Sequence, residues 1–309
     1  MKIGVVGTGA VGGYFGACLG NTGHEVVFIA RGDKLVKMKE KGLTVQGTEG
    51  EFTVSGAFTE SYESLSDVDL ILFCVKSTAT KIVAEALVPI IKKDTLILTL
   101  QNGVDNEETL ASLFGSVRVF SAASYIQAQM TEPGLVKQIG NSPRLVIGAL
   151  DESQKEVAQQ LTIMLQNAGI ETYLSSNILK VKWRKLLWNV TFNPLSALIE
   201  SKVGVILDND DLKTIAIRIC QEATKVARKA GIPVEEDIWV DIMEKSHVSR
   251  NHETSMLQDK RNGKQMELES ICGYVVKKGK EVDVDTPVLE TIYGLLKLED
   301  NNLTLVHVK

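Results

Sequence analysis

The chain opens on a short, mainly apolar run, Lys2–Val6, that stops at Gly7, the pattern of a buried strand. Residues 10–20 follow with helical character, Gly23 marks a turn, and Glu25–Ile29 is again apolar. Strand, glycine turn, helix and strand make a βαβ unit. The alternation continues, with strands predicted at 69–75, 96–100 and 117–122 and helices at 78–91 and 104–114. Residues 42–54 alternate Gly and Thr with apolar positions and predict a small hairpin, and 135–148 hold two more strands around Asn141-Ser142-Pro143. Such alternation predicts an α/β domain built on a Rossmann-type, doubly wound, mostly parallel sheet.

The pattern changes near residue 176. Segments 178–200, 210–230, 235–247, 252–262, 264–278 and 287–297 all carry helical periodicity. Gly231 and Pro233 stop one helix, and Thr286-Pro287 starts another with proline in its first turn. The expected division is a dinucleotide-binding domain over 1–176 and an all-α domain over 177–309, with 301–309 as a peripheral tail.

Composition narrows the class. The 309 residues are 44% hydrophobic and 24% charged, ordinary for a globular enzyme with a core that needs no staples. Lys and Arg total 34 against 39 Asp and Glu, a net charge of −5, with no basic run that would suit nucleic acid or an anionic membrane. Cys18, Cys74, Cys220 and Cys272 form no CxxC pair and read as reduced thiols. His24, His247, His252 and His307 lack metal-ligand spacing, so no metal is expected. With no leader pattern ahead of Lys2 and no apolar run of spanning length, a cytoplasmic location is expected. Monomer and homodimer both stay open.

Gly7-Thr8-Gly9-Ala10-Val11-Gly12 is GxGxxG, and its place between a strand and a helix makes it a dinucleotide fingerprint. Gly7 makes the turn, Gly9 lets backbone approach a pyrophosphate, and Gly12 lets helix and strand pack closely. Thr8, Ala10 and Val11 complete the loop whose N–H groups face the phosphates. An acid commonly follows about 20 residues on, bonding the ribose 2′-OH of NAD. Here Arg31 stands 19 positions after Gly12; guanidinium suits a 2′-phosphate, so NADP(H) is the expected cofactor, although Asp33 lies close. Lys76 and Asn102 follow predicted strands, where α/β sheets bind ligands. Asn102-Gly103 reads equally well as a plain turn.

In the helical half, Trp183, Leu186, Leu187, Trp188, Val190 and Phe192 make one helix apolar over most of its circumference, the mark of a buried helix. Lys185, Asn189 and Asn193 recur every four residues as one polar stripe. If buried, that stripe needs partners, and a polar ligand supplies them; a solvated stripe is the alternative. A desolvated Lys is a good proton donor to a carbonyl oxygen that receives hydride. Pro194 is expected to end or kink the helix just beyond.

These features together resemble the ketopantoate reductase (2-dehydropantoate 2-reductase) family. The resemblance is carried by Gly7–Gly12, Arg31, Cys74-Val75-Lys76, Gln101-Asn102-Gly103, Trp183-Arg184-Lys185-Leu186 with Asn189 and Asn193-Pro194, Ser255–Asp259 and Glu267. It implies NADPH-dependent reduction of a small 2-oxo acid, 2-dehydropantoate, to pantoate on the route to pantothenate and coenzyme A. It implies Lys185 as general acid, and Glu267 as the acid that positions that lysine, the cofactor and the substrate hydroxyl. Asn189, Asn193 and Ser255 would hold substrate, Lys76 and Asn102 the cofactor, and Arg31 its 2′-phosphate. Three departures from the family pattern, Met266, Glu269 and Val203, are expected near the substrate and bear on its identity. A reductase of another 2-oxo acid, a 3-hydroxyacid dehydrogenase and a non-catalytic NADP(H) sensor remain open.

Overall fold

The computed structural model describes residues 1–48 and 50–306, the side chains of 302–306 excepted. The chain forms two compact units, one of Met1–Asn102 with Asn106–Val181, the other of Gly103–Asp105 with the chain from Lys182 on.

Among the described residues, twelve strands lie in the first unit: β1 Lys2–Val6, β2 Glu25–Ile29, β3 Leu43–Gly47, β4 Gly50–Val54, β5 Ala57–Thr59, β6 Leu70–Phe73, β7 Leu96–Thr99, β8 Val119–Tyr125, β9 Ala128–Glu132, β10 Leu135–Gln138, β11 Arg144–Ala149 and β12 Glu171–Leu174. The large sheet has the order β12-β11-β8-β7-β6-β1-β2-β5. From β5 to β8 every pairing is parallel, and the order reverses between β1 and β6, the switch point of a doubly wound sheet. β11 pairs antiparallel with β8 and parallel with β12. Side chains alternate between the faces. Ile3, Val5, Leu70, Leu72, Leu98 and Phe120 enter one apolar core, and Val6, Val27, Ile29, Ile71, Phe73 and Ile97 the other, which is why these strands read as unbroken apolar runs.

The helices that accompany the sheet are α1 Ala10–Asn21, α2 Gly32–Lys41, α3 Thr80–Leu87, α4 Asp105–Phe114 and α5 Lys155–Asn167. The hairpin expected at 42–54 is β3 and β4, in a second sheet of order β4-β3-β10-β9. The two strands expected at 135–148 both form but part company. β10 joins this small sheet and β11 the large one.

Among the described residues, seven helices build the second half: α6 Ile178–Leu198, α7 Val203–Asp208, α8 Asp210–Lys229, α9 Ile238–Lys245, α10 Ser255–Arg261, α11 Tyr274–Glu281 and α12 Pro287–Val306. A π turn, Glu269–Gly273, leads into α11. The core holds Trp183, Leu186, Leu187, Val190 and Phe192 of α6 against α8, α10 and α12 residues such as Ile219, Cys220, Met256 and Leu289. Asn209 caps α8 by accepting from Leu212 N at 2.9 Å, Asp210 and Asp211 sit at its positive end, and Arg228 and Lys229 at its negative end. The Glu222 carboxylate of α8 accepts from Val288 N and Leu289 N at 3.1 and 3.0 Å, satisfying N–H groups that the first turn of α12 leaves without helical partners.

Two expectations are corrected. Pro194 does not end α6, which runs on to Leu198; Phe192, Leu195 and Ala197 around it are buried in the core, and that packing outweighs a lost backbone bond costing about 3 kcal/mol. Residues 301–306 are helix and no tail, because Asp300 is buried and accepts from Met266 N at 2.8 Å, docking α12 close to its end. Residues 307–309, which include His307, lie outside the described residues.

Candidate active site

The glycine loop joins β1 to α1 at the switch point. Gly7 has φ +100°, and a Cβ there would lie 2.6 Å from Val75 N and 2.7 Å from the Cys74 carbonyl carbon, so the turn requires glycine. A Cβ on Gly12 would press on the Gly7 carbonyl and come within 2.9 Å of Cys74 Cβ; its absence lets α1 pack onto the strands. At Gly9 a Cβ would meet nothing within 4 Å. That glycine is not required by protein packing. Thr8 is fixed from inside, its N and Oγ1 both donating to the Ile29 carbonyl at 3.2 and 2.8 Å. Ala10 and Val11 form the half-buried first turn of α1, whose N-terminus no side chain caps. A bare helix N-terminus behind a glycine with open space beside it fits a pyrophosphate.

Arg31 leaves the end of β2, exposed, and turns to Tyr62. Its Nη2 donates to the Tyr62 hydroxyl at 3.2 Å, and its guanidinium lies 5.8 Å from the ring centroid. Among the described residues Arg31 makes no ion pair; Asp33 sits in the first turn of α2. Lys76, also exposed, follows β6, and Asn102 follows β7. A buried amide network ties these two strand ends together. Gln101 Nε2 donates to Val75 O at 2.9 Å and to Thr80 Oγ1 at 2.7 Å, Thr80 Oγ1 donates to Asn106 Oδ1 at 2.6 Å, and Asn106 Nδ2 donates to Asn102 O at 2.8 Å. Asn102-Gly103 is therefore a braced turn, and Gly103 adopts φ +82°.

In the helical unit, α6 presents two different faces. Arg184 reaches Asp241 at 3.0 Å and Glu235 at 3.3 Å, and Trp188 Nε1 donates to Ser246 Oγ at 2.9 Å. The Lys185, Asn189, Asn193 stripe lies to the side of these. Asn189 and Asn193 are 7% and 2% exposed and Lys185 is half-buried, so the stripe is not a solvated surface. Asn193 Oδ1 has no hydrogen-bond partner among the described residues. Burial brings the Lys185 ammonium down from an ordinary 10.5 to about 7; Lys182, itself buried, adds a like charge, and the Glu267 carboxylate pulls the other way. Glu267, half-buried just before the π turn, is thus brought to Lys185. Ser255 is exposed in the first turn of α10; the cap is Thr254, whose Oγ1 accepts from Leu257 N at 3.2 Å.

Met266 and Val203 are buried in the helical core. Glu269 is engaged with Tyr293 at 2.8 Å and Lys297 at 3.0 Å. His252 is not on α10 but in the turn before it, half-buried with its ring 5.9 Å from Trp188, and burial lowers its pKa. Sequence reading passed over Lys182, one turn before Lys185 on the same helix, where the spacing was a usable signal. It also passed over Tyr62, Thr80 and Asn106, whose roles depend on long-range contacts. Among the described residues no group of His, Cys, Asp or Glu is placed to hold a metal ion, and no helix is long and apolar enough to cross a membrane.

Comparison with known proteins decides the family. The description "Ketopantoate reductase PanE/ApbA" matches residues 3–152, and "Ketopantoate reductase PanE/ApbA C terminal" matches residues 177–300. The chain belongs to the ketopantoate reductase family. Within it, the chain is 31% identical to the 2-dehydropantoate 2-reductase of Pyrococcus horikoshii over 97% of this chain and 98% of that one. A ketopantoate reductase structure from Ralstonia eutropha is similar at TM-score 0.91 and 30% identity, covering 98% of this chain and 100% of that one. A D-mandelate dehydrogenase structure with NADH and anilino(oxo)acetate is also similar, at TM-score 0.91 and 26% identity with 98% and 100% covered. The family therefore includes the Rossmann-type sheet and the helical half together, as the sequence pattern indicated.

Proposed function

We propose that this family member reduces 2-dehydropantoate to pantoate with NADPH. The observation that carries the reading is the α6 stripe: a lysine brought to about 7 and, two turns on along the same stripe, a buried Asn193 oxygen without a partner among the described residues. An unpaired buried acceptor is costly, and a substrate hydroxyl would satisfy it. Bound NADPH would supply hydride to the carbonyl carbon. Lys185 holds the proton and gives it to the carbonyl oxygen as negative charge develops there, leaving a 2-hydroxy acid. Glu267 keeps that ammonium charged and aimed. Asn189, Asn193 and Ser255 hold the substrate. Gly7 to Gly12 take the pyrophosphate, Lys76 and Asn102 add cofactor contacts, and Arg31 takes the 2′-phosphate. The proposed setting is the cytoplasm.

The test follows NADPH consumption by purified protein with 2-dehydropantoate, with NADH in parallel. Turnover preferring NADPH supports the reading, and cofactor binding without turnover of any 2-oxo acid contradicts it. The similarity to D-mandelate dehydrogenase with NADH favours one second reading, an NADH-dependent enzyme of another 2-oxo acid, which the same assay separates.

The pH dependence has a definite sign. A general acid acts in its protonated form, and Lys185 loses its proton near pH 7. kcat/KM for reduction is therefore expected to level off below that value and to fall about tenfold per unit above it. A profile that stays flat up to about pH 9 would assign the proton to another group.

A further inference from the structure

We infer that Tyr62 is a positioning residue for cofactor choice: it holds the Arg31 guanidinium ready for a 2′-phosphate and so sets preference for NADPH over NADH. This rests on the NADP(H) reading above and names a residue that the fingerprint does not contain.

The two residues are 31 positions apart, yet the fold fixes them to each other. Ile29 pairs with Thr59 across β2 and β5, and Ala30 N donates to Thr59 O at 2.9 Å. The strand ends that carry Arg31 and Tyr62 are thereby in register. Tyr62 opens a short 3-10 turn, Tyr62–Leu65, that is tied at both ends. Ser61 N donates to Thr59 Oγ1 at 3.1 Å, Ser61 Oγ accepts from Glu63 N at 3.3 Å, and Leu65 is fully buried. The Tyr62 ring rests half-buried against one of the sheet cores, so its hydroxyl is a fixed point.

Arg31 is exposed and its side chain has nothing else to hold it among the described residues. Left alone, it would sample many rotamers and lose conformational freedom on gripping a ligand. The hydrogen bond at 3.2 Å and the ring face at 5.8 Å restrict it beforehand. They do so without neutralising it, because a phenol adds no negative charge where a carboxylate would. The tyrosine accepts from Arg31 and keeps its own hydrogen, so the pair offers a phosphate the remaining guanidinium N–H groups and one O–H. NADH lacks the 2′-phosphate and gains nothing from the arrangement.

The experiment is calorimetric titration of NADPH and of NADH into wild type, Tyr62→Phe and Tyr62→Leu, with thermal midpoints recorded for each. Phe keeps the ring and loses the hydroxyl; Leu loses both. The expected result is a Kd for NADPH raised about threefold in Phe and about tenfold in Leu, with NADH binding unchanged. Equal weakening of both cofactors would place the ring against a part they share, such as the adenine, and would overturn the assignment. So would an unchanged ratio in both variants. A wild type with no NADPH preference would instead sink the underlying cofactor reading, and the inference with it.

Discussion

Lys185→Met is expected to lower kcat for 2-oxo acid reduction by about 10²–10⁴, the usual range for a lost general acid, while raising the thermal midpoint near neutral pH. The second half follows from the lysine's surroundings. Its pKa stands at about 7 in the folded chain against 10.5 when unperturbed, so the folded state favours the neutral amine. Between those values the unfolded chain holds a proton that the folded chain has released, and stability rises with pH across the window. Below pH 7 the folded protein carries the full cost of the buried ammonium, net of the attraction from Glu267. Methionine has similar length and no charge, and removing that cost stabilises by roughly 1–3 kcal/mol after discounting for partial exposure. The gain should shrink towards pH 10.5. Kinetics and calorimetry on one preparation check both halves. A variant that is slow because its midpoint has dropped would mean a structural lysine.

Gly7→Ala is expected to destabilise the first unit by roughly 2–4 kcal/mol and to abolish measurable cofactor binding. The φ of +100° is strained for alanine, and the new methyl would sit 2.6 Å from Val75 N, a backbone atom just beyond the buried strand β6 that cannot step aside. Gly9→Ala provides the contrast. Its methyl meets no protein atom within 4 Å, so the midpoint should stay near wild type while affinity for NADPH falls at least about tenfold, the loop no longer letting a pyrophosphate approach. Denaturant titration and calorimetric binding of both variants separate the two roles. A Gly9→Ala protein that binds normally would remove the loop from the cofactor site.

Legibility in the sequence followed how local each cause was. β1, α1 and β2 could be read because an apolar strand, three glycines and a second apolar strand lie within one short segment. α2 could not, since its ten residues bury only Leu35 and Met38, too few to set a period. The partner strands of β10 and β11 are chosen by the sheets and not by the turn between them. Pro194 was given its local meaning, an end or a kink, and of the two the end did not occur, because the buried residues on both sides hold the helix in the core. On α6 the stripe itself was legible from spacing, but the burial that depresses the Lys185 pKa is a property of surrounding helices. Met266 and Val203 were expected near the substrate from their alignment with family positions; their burial in the helical core is set by long-range packing that alignment does not show. Tyr62 gave no signal at all, because its meaning comes from the register of β2 with β5.

The reaction and its substrate are tested by kcat/KM for 2-dehydropantoate and for phenylglyoxylate, the oxo acid related to mandelate, each with NADPH and with NADH. The expected result is the highest value for 2-dehydropantoate with NADPH, by about tenfold or more over any other pairing. A higher value for phenylglyoxylate with NADH would contradict it and would place this chain's activity beside that of its D-mandelate dehydrogenase neighbour.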